Sequence, residues 1–482
     1  MNRSHIIPHF VTLGLALGIT LCSLLLSSSA VRSQRHKGYD KGYDIGVTVK
    51  SMPNRQLLLG YYYEDKIVIA DSVILDKKGV GHFKKAPDRL PKGQYFLLYN
   101  PSTIVELLIG DNQFFSIVSD TTDIIRHISF ENSPENTQFI ALQRFMTDIY
   151  NKEGNIIDTD SAVRVYIQRI TAKFPGTALA TFANFTLPVK VPDFANEVSA
   201  TEFPDPKARE LEIRKRGYFY YKKHFWDHTN FQDSTLIRTN LFKRRLDDYL
   251  KNMVAIHPDS LFRACDEILE KARPNLAMFK YLMNYCTKYT YEDKIMGMDE
   301  AFVKLGQKYY VSGIVNWLDS AGLKKVTDEV LKRQFNLLYH KAIDLQLTTV
   351  EGQITSLYET QAPFIFLLFW ESNCAYCKKV VPQIKKDILD RFGKHGLKVF
   401  AVHTQDTKEE WQSFIEQNDL FDFINVWDPN NQSNYWTYYN VFATPVMYVL
   451  DKDKKFIAKN IAIEQMVEVL KREYKKVGIN IE

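Results

Sequence analysis

The stretch N-C-A-Y-C-K-K-V-V-P, residues 373–382, places two cysteines close together in a chain of 482 residues that has five cysteines. It follows F-I-F-L-L-F-W, residues 364–370, a continuous apolar run typical of a strand buried on both faces. After the cysteines, apolar residues recur at every fourth position from Val380 to Phe392, which predicts a helix that begins at the pair. The cysteines are therefore expected between a buried strand and a helix.

That position predicts a reactive thiol. A cysteine at a helix start faces unpaired backbone N–H groups and the positive end of the helix dipole, and both favour the thiolate. Lys378 and Lys379 are expected to add positive charge, and such surroundings can lower a cysteine pKa from about 8.5 to between about 3.5 and 7.5. Cys377 lies almost one turn beyond Cys374, so it is within reach but less exposed. Such a pair can exchange two electrons through a mixed disulfide.

The bulk composition is ordinary for a soluble globular protein, and the first thirty residues predict export. Hydrophobic residues make up 45% and charged residues 25%, and the net charge of +5 is modest, which argues against a nucleic-acid partner. The apolar run from Phe10 to Leu26, followed by S-S-S-A, predicts a signal peptide over residues 1–30, with an uncleaved membrane anchor as the alternative. We therefore expect a periplasmic location, where disulfides persist.

The pattern along the chain predicts several domains. Residues 31–44 are interpreted as a linker, and residues 45–131 hold short β-rich segments with turn residues between them, which predicts an antiparallel sandwich or open barrel. Residues 132–340 carry amphipathic helical periodicity, and residues 341–482 alternate strand and helix. The predicted fold class is multidomain, with an N-terminal antiparallel β domain, a helical middle region and a C-terminal α/β domain.

Two residue pairs in the helical region have alternative interpretations. His224 and His228 are spaced as neighbours on one helix face, but no third ligand accompanies them, which favours packing over a zinc site. Cys265 and Cys286 fall on adjacent predicted helices and could form a structural disulfide or stay buried free thiols. Because one CxxC supplies only two of four zinc ligands, we predict no metal and no cofactor.

The C-terminal region resembles the thioredoxin fold over roughly residues 345 to 480. Pro382 matches the kink proline of that family's active-site helix, and A-T-P-V, residues 443–446, matches the loop whose proline is cis. The sequence around this loop is most similar to the exported, membrane-facing branch, which includes the cytochrome-c-maturation reductases. The whole layout resembles exported thioredoxin-like proteins of Gram-negative bacteria that carry a β-rich N-terminal domain and a helical middle region.

The resemblance implies roles for particular residues. Cys374 would be the nucleophile and Cys377 the resolving cysteine. The expected substrate-contacting residues are Trp370, Tyr376, Thr444 and Pro445. The implied activity is that of a thiol-disulfide oxidoreductase, most simply a reductase of disulfides in exported proteins that a membrane thiol electron donor keeps reduced. A disulfide oxidase or isomerase, and a non-enzymatic binding protein with a relic thioredoxin module, are the alternatives.

Three positions depart from the family pattern. Asn373 stands where the family usually has Trp, Leu368 where thioredoxin has a buried Asp, and Val380 where the membrane-facing branch often has Glu. The chain therefore lacks both acids thought to take the proton from the resolving thiol, and we expect Val380 near the helix surface. The segment L-L-F-W-E-S-N also lacks the Pro and Thr that precede a peroxidase cysteine.

Overall fold

The computed structural model describes residues 42–100, 103–119, 127–151, 156–405 and 408–481. The predicted signal peptide and most of the predicted linker lie outside the described residues. Within the described ranges, no helix combines the length and the apolar character needed to cross a bilayer. The chain divides into two compact units, Met1–Met253 with Glu270–Tyr281 and Val254–Leu269 with Leu282–Glu482. The division into β, helical and C-terminal domains stays a prediction.

Eight strands open the part of the first unit that the structure describes. They are β1 Tyr43–Val49, β2 Gln56–Tyr63, β3 Lys66–Ile74, β4 Val80–Lys85, β5 Gly93–Asn100, β6 Thr103–Ile109, β7 Phe114–Ser119 and β8 Ser129–Glu131. They form two four-stranded sheets, ordered β4-β1-β7-β8 and β3-β2-β5-β6. Strands β1 and β7 pair in parallel, because the chain passes through the other sheet before it returns, and the remaining pairs are antiparallel.

The two sheets share one hydrophobic core with the first helices. Buried Ile45 comes from one sheet, Leu59 from the other, and Phe139 and Ile167 from helices that pack on them. The helices of the middle region are α1 Pro134–Asn151, α2 Ile156–Lys173, α3 Ala178–Thr186, α4 Pro206–His224, α5 Asn240–Asp248, α6 Pro258–Ala272, α7 Leu276–Glu292, α8 Asp299–Leu305 and α9 Ser320–Arg333. The predicted succession of helices is therefore present, and the first of them complete the core of the β sheets.

The two histidines do not share a helix face. Helix α4 ends at His224, so His228 lies beyond it and the expected alignment is wrong. The His224 Nδ1 atom lies 2.6 Å from Asp227 Oδ2, and its ring stacks on Tyr220 with centroids 4.1 Å apart. Among the described residues, no group of three or more His, Cys, Asp and Glu side chains is arranged to hold a metal ion.

Cys265 and Cys286 lie side by side as buried free thiols on α6 and α7. Burial, followed by the hydrogen bond between the two thiols, raises the pKa of Cys286 well above its ordinary value. A protonated, buried thiol is a poor nucleophile, so this pair lacks the character of a redox site.

A seven-stranded sheet forms the centre of the second unit. Its strands are β9 Gln346–Thr349, β10 Ile354–Ser356, β11 Phe364–Trp370, β12 Lys398–His403, β13 Ile424–Trp427, β14 Val446–Asp451 and β15 Phe456–Lys459. Their order is β10-β9-β13-β12-β11-β14-β15, with β11, β12 and β13 parallel and β14 antiparallel to β11. Every residue of β11 is buried, as its continuous apolar run predicted, because a hydrophobic cluster covers each face of the sheet.

The helices of this sheet region are α10 Cys377–Ile384, α11 Asp390–Phe392, α12 Lys408–Gln417, α13 Tyr435–Tyr438 and α14 Ile463–Lys476. Pro382 lies inside α10 and has no N–H to donate. The chain continues from α10 as one wider π-helical turn, Lys385–Leu389. The strand and helix order confirms the predicted C-terminal α/β thioredoxin fold.

The segment before β9 lies along β15, the last strand of the sheet. The N–H of Tyr339 donates to Phe456 O at 2.7 Å, and the N–H of Phe456 donates to His340 O at 3.1 Å. Ala342 N–H donates to Lys454 O at 2.8 Å, so backbone pairing covers the start of this edge, from Lys454 to Phe456.

A buried ion pair joins β15 to the helical part of the same unit. Lys459 Nζ lies 2.6 Å from Asp299 Oδ2 and 2.9 Å from Asn336 O. Burial lowers the pKa of Lys459, and the carboxylate of Asp299 opposes that shift. The lysine charge is therefore held in the protein interior by a partner from the start of α8.

Candidate active site

The cysteine pair lies where β11 ends and α10 begins. Trp370 is the last residue of β11, and Cys377 is the first residue of α10. Cys374 precedes the helix, and the Cys377 N–H points at the Cys374 Sγ atom at 3.3 Å. The helix start thus supplies a backbone donor to the first cysteine, as the sequence predicted.

Cys374 is the half-exposed member of the pair. Burial disfavours its thiolate, but hydrogen bonds from the Cys377 thiol and the Cys377 backbone N–H outweigh burial, and the pKa of Cys374 is lowered. Lys378 and Lys379 are exposed and are not among the main causes of this shift. Hydrogen bonds, rather than the lysine charges expected from the sequence, stabilise the thiolate.

Cys377 has the opposite character. Its side chain is fully buried, and burial, followed by its hydrogen bond to Cys374, raises the pKa of Cys377 to about 12. Leu368 and Val380 belong to the same hydrophobic cluster as Cys377. The expectation that Val380 lies near the helix surface is wrong, because it is only 4% exposed and belongs to the apolar stripe that packs on the sheet.

The loop before β14 faces the cysteines. The Thr444–Pro445 peptide bond is cis, and the Thr444 carbonyl oxygen lies 3.7 Å from Cys374 Sγ. Hydrogen bonding by the Thr444 side chain lowers the pKa of Cys374 and also opposes the rise in the pKa of Cys377. The structure therefore brings together Cys374, Cys377 and Thr444, which are far apart in the sequence.

Of the four expected substrate-contacting residues, Thr444 lies against Cys374, two line a groove and one is buried. Tyr376 is exposed and, with Pro445, lines a groove of about 580 Å³ beside the cysteine pair. The expectation that Trp370 contacts substrate is wrong, because its indole is fully buried. The ring packs against His403 and Phe414, with centroids 5.3 and 5.0 Å away. A side chain that packs the core beneath the cysteine loop has no face left for substrate.

His403, the last residue of β12, is a site residue that no sequence pattern indicates. Its Nε2 atom lies 3.3 Å from the Ser372 N–H and 3.2 Å from Ser372 Oγ, and its ring stacks on Trp411. Burial lowers the pKa of His403 to about 4, so the ring is neutral near pH 7 and its Nε2 can accept from the Ser372 N–H. It holds the loop that carries Cys374. Only the tertiary fold shows this contact, because the two residues are distant in sequence.

Fold and site together define a class: a thioredoxin-fold domain with a redox dithiol. The accessible thiol has a lowered pKa, its partner is buried and protonated, and a cis-proline loop faces the pair. Such an arrangement lets one cysteine attack a disulfide and the other resolve the product.

Comparisons with known proteins agree with this class. Residues 338–459 match the AhpC/TSA family, and residues 189–338 match a domain of unknown function (DUF5106). Over 80 residues the chain is 25% identical to the thiol-disulfide oxidoreductase ResA of Halalkalibacterium halodurans. That similarity covers 17% of this chain and 45% of the relative, less than half of the relative's length.

Solved structures of bacterial proteins are also similar over part of the chain. A domain described as a possible thiol-disulfide isomerase from Cytophaga hutchinsonii is 35% identical, with 30% of this chain and 96% of that chain covered and a TM-score of 0.28. A thioredoxin-like protein from Bacteroides caccae is 21% identical, with 53% of this chain and 92% of that chain covered and a TM-score of 0.42. In sequence, the C-terminal region of this chain is similar to thioredoxin-fold thiol-disulfide oxidoreductases.

Proposed function

We propose that the protein is a periplasmic reductase of disulfides in exported proteins and that a membrane thiol donor returns it to the dithiol state. The observation that carries this proposal is the contrast between Cys374, half-exposed with a lowered pKa, and Cys377, buried with a raised pKa. The predicted signal peptide supports the location, and the redox class supports the chemistry.

The reaction follows from that contrast. The Cys374 thiolate attacks one sulfur of a substrate disulfide, which forms a mixed disulfide and releases the first substrate thiolate. Cys377 then loses its proton and attacks the Cys374 sulfur, which releases the second substrate thiolate. The substrate takes up two electrons, and the pair becomes a Cys374–Cys377 disulfide. Of the two protons on the product thiols, one is released by Cys377 and the other comes from solvent. A donor dithiol must reduce that disulfide before the next turnover.

The residues between the cysteines favour reduction over oxidation. A strong oxidant depends on a thiolate that is highly stabilised in the reduced state. Here Ala375 and Tyr376 separate the cysteines, and neither carries a positive charge. Hydrogen bonds stabilise the Cys374 thiolate, while burial opposes it. This balance supports a low reduction potential and hence a reductase.

A redox titration of the full chain against dithiothreitol tests the direction. We expect a potential of about −270 to −200 mV, whereas a value near −120 mV would favour an oxidase. A folded protein that exchanges no disulfide at all would favour the binding-protein alternative.

A trapping experiment in the native host tests the substrates and the location. Cys377→Ser leaves Cys374 able to attack but removes the resolving thiol, so mixed disulfides should accumulate. The control is the double variant with Cys374→Ser as well. Capture of cytoplasmic proteins alone would contradict the periplasmic assignment.

A further inference from the structure

The groove beside the cysteine pair has a wall that the thioredoxin-like region does not supply. Tyr376 lines it on the side of the cysteines, and Pro445 and Phe442 line it from the cis-proline loop. Glu329 and Lys332 line it from α9, which lies within the segment that matches the domain of unknown function. A polypeptide that reaches Cys374 through this groove therefore meets α9.

The position of α9 is fixed by packing within its unit. Its residue Val330 is fully buried against the backbone of Gly306, where an added Cβ would lie 2.1 Å from the valine Cγ2. Just after the helix, Phe335 packs edge-to-face on Tyr438 with centroids 5.1 Å apart. These contacts present the last turn of α9 to the groove in a defined orientation.

Lys332 is held at the groove instead of extending freely into solvent. Its Nζ atom lies over the Phe442 ring, 4.6 Å from the centroid, and donates to Glu329 Oε1 at 3.1 Å. The other Glu329 oxygen accepts from Arg333 at 3.1 Å. One carboxylate thus serves two cations, so Glu329 only partly neutralises Lys332, the cation that lines the groove.

The groove combines that charge with an apolar surface. Phe442 is 59% exposed, and Ile461 and Val446 continue the apolar lining. An extended substrate segment would place an apolar side chain against these residues and a carboxylate near Lys332, because opposite charges and apolar surfaces are complementary.

We propose that α9 determines substrate preference and that Lys332 selects extended polypeptides with an acidic side chain within a few residues of the disulfide-bonded cysteine. This inference rests on the proposed function, since the groove must deliver a disulfide to Cys374. The helical region then acts as part of the substrate-binding surface.

The test compares two synthetic peptides that differ only by Asp or Lys at the positions flanking a cysteine, each disulfide-bonded to a chromogenic thiol. Bis(2-hydroxyethyl) disulfide is the reference, because it is too small to contact α9 and Cys374 together. We expect the wild type to show a kcat/KM about fivefold higher for the Asp peptide at low salt, as for a partly exposed charge pair. High salt should reduce this preference by screening.

Variants of Lys332 identify the source of the preference. Lys332→Met should bring the two peptides to about equal kcat/KM, and Lys332→Arg should keep the preference, since arginine retains the charge. Lys324→Glu is the matched control, because it changes a charge on the same helix at a 73% exposed side chain outside the groove lining. Lys324→Glu should also reduce the small disulfide at the wild-type rate.

The outcomes separate the two proposals. Equal turnover of both peptides by the wild type, or a preference that survives Lys332→Met, would overturn the role of α9 and leave the reductase proposal intact. Failure of the folded wild type to reduce any of the three disulfides would overturn the reductase proposal itself.

Discussion

The resolving step should depend steeply on pH, because Cys377 must lose a proton in an apolar environment. With a pKa of about 12, only about one Cys377 in 10⁵ is ionised at pH 7 in the dithiol state. In the mixed disulfide the Cys374 thiolate is gone, so the pKa of Cys377 falls but burial still keeps it above the ordinary value. The resolution rate should therefore rise about tenfold per pH unit across roughly pH 6 to 9.

Val380→Glu places a carboxylate in the cluster that surrounds Cys377. The burial of Val380 means that the new group costs about 1–3 kcal/mol of stability and has a raised pKa. A carboxylate with a raised pKa can accept the Cys377 proton near neutral pH, so the pH profile of resolution should flatten. Val380→Gln is the matched control, since it has the same shape and no basic group.

The assay mixes reduced protein with an equimolar amount of a symmetric aromatic disulfide in a stopped-flow instrument. The first chromogenic thiol released reports attack by Cys374, and the second reports resolution by Cys377. A wild-type second phase that is fast and independent of pH would refute the reasoning, because another group would then take the proton. Equal profiles for Val380→Glu and Val380→Gln would show that the carboxylate does not act as the base.

Three further predictions concern the ion pair and the thiols. Asp299→Asn should lower the free energy of unfolding by about 3–5 kcal/mol in urea titrations at pH 7, because it leaves the buried charge of Lys459 unpaired. The folded-state pKa of Lys459 lies below its unfolded value and falls further in this variant, so the unfolded chain binds more protons than the folded one. The loss of unfolding free energy should therefore shrink as pH rises toward 9. A loss that grows with pH would contradict this. In the reduced protein at neutral pH, mass spectrometry after brief iodoacetamide treatment should find Cys374 alkylated far faster than Cys377, and equal rates would reverse the assigned roles. Thr444→Val should raise the pKa of Cys374 measured by the pH dependence of that alkylation, while Thr444→Ser should leave it nearly unchanged.

Local sequence signals predicted the elements that carry the site. The apolar run of β11, the stripe of four apolar residues that begins in α10 and the A-T-P-V motif each lie within a short segment, so their pattern is complete in the sequence. The burial of Val380 was also contained in that stripe, since Val380 is its first member. Trp370 ends a strand buried on both faces, and its burial follows from the same pattern.

Features that depend on distant segments were not predictable in this way. The parallel pairing of β1 with β7 and the contact of His403 with Ser372 join residues whose spacing leaves no periodic signal. The hydrogen bonds that lower the pKa of Cys374 come partly from Thr444, which only the folded sheet brings to the cysteines. The groove wall formed by α9 likewise depends on how the helices pack, which composition does not indicate.

The backbone pairing of residues 339–342 with β15 also affects solubility. An unpaired outer strand exposes a row of N–H and C=O groups that can recruit a strand from another molecule. Here Tyr339 and Ala342 donate to the carbonyl oxygens of Phe456 and Lys454, so the start of this border of the sheet is already occupied. A shortened protein that begins after Ala342 would lose that cover and expose β15 to self-association. Shortened versions made for crystallisation or assays should therefore begin upstream of Tyr339.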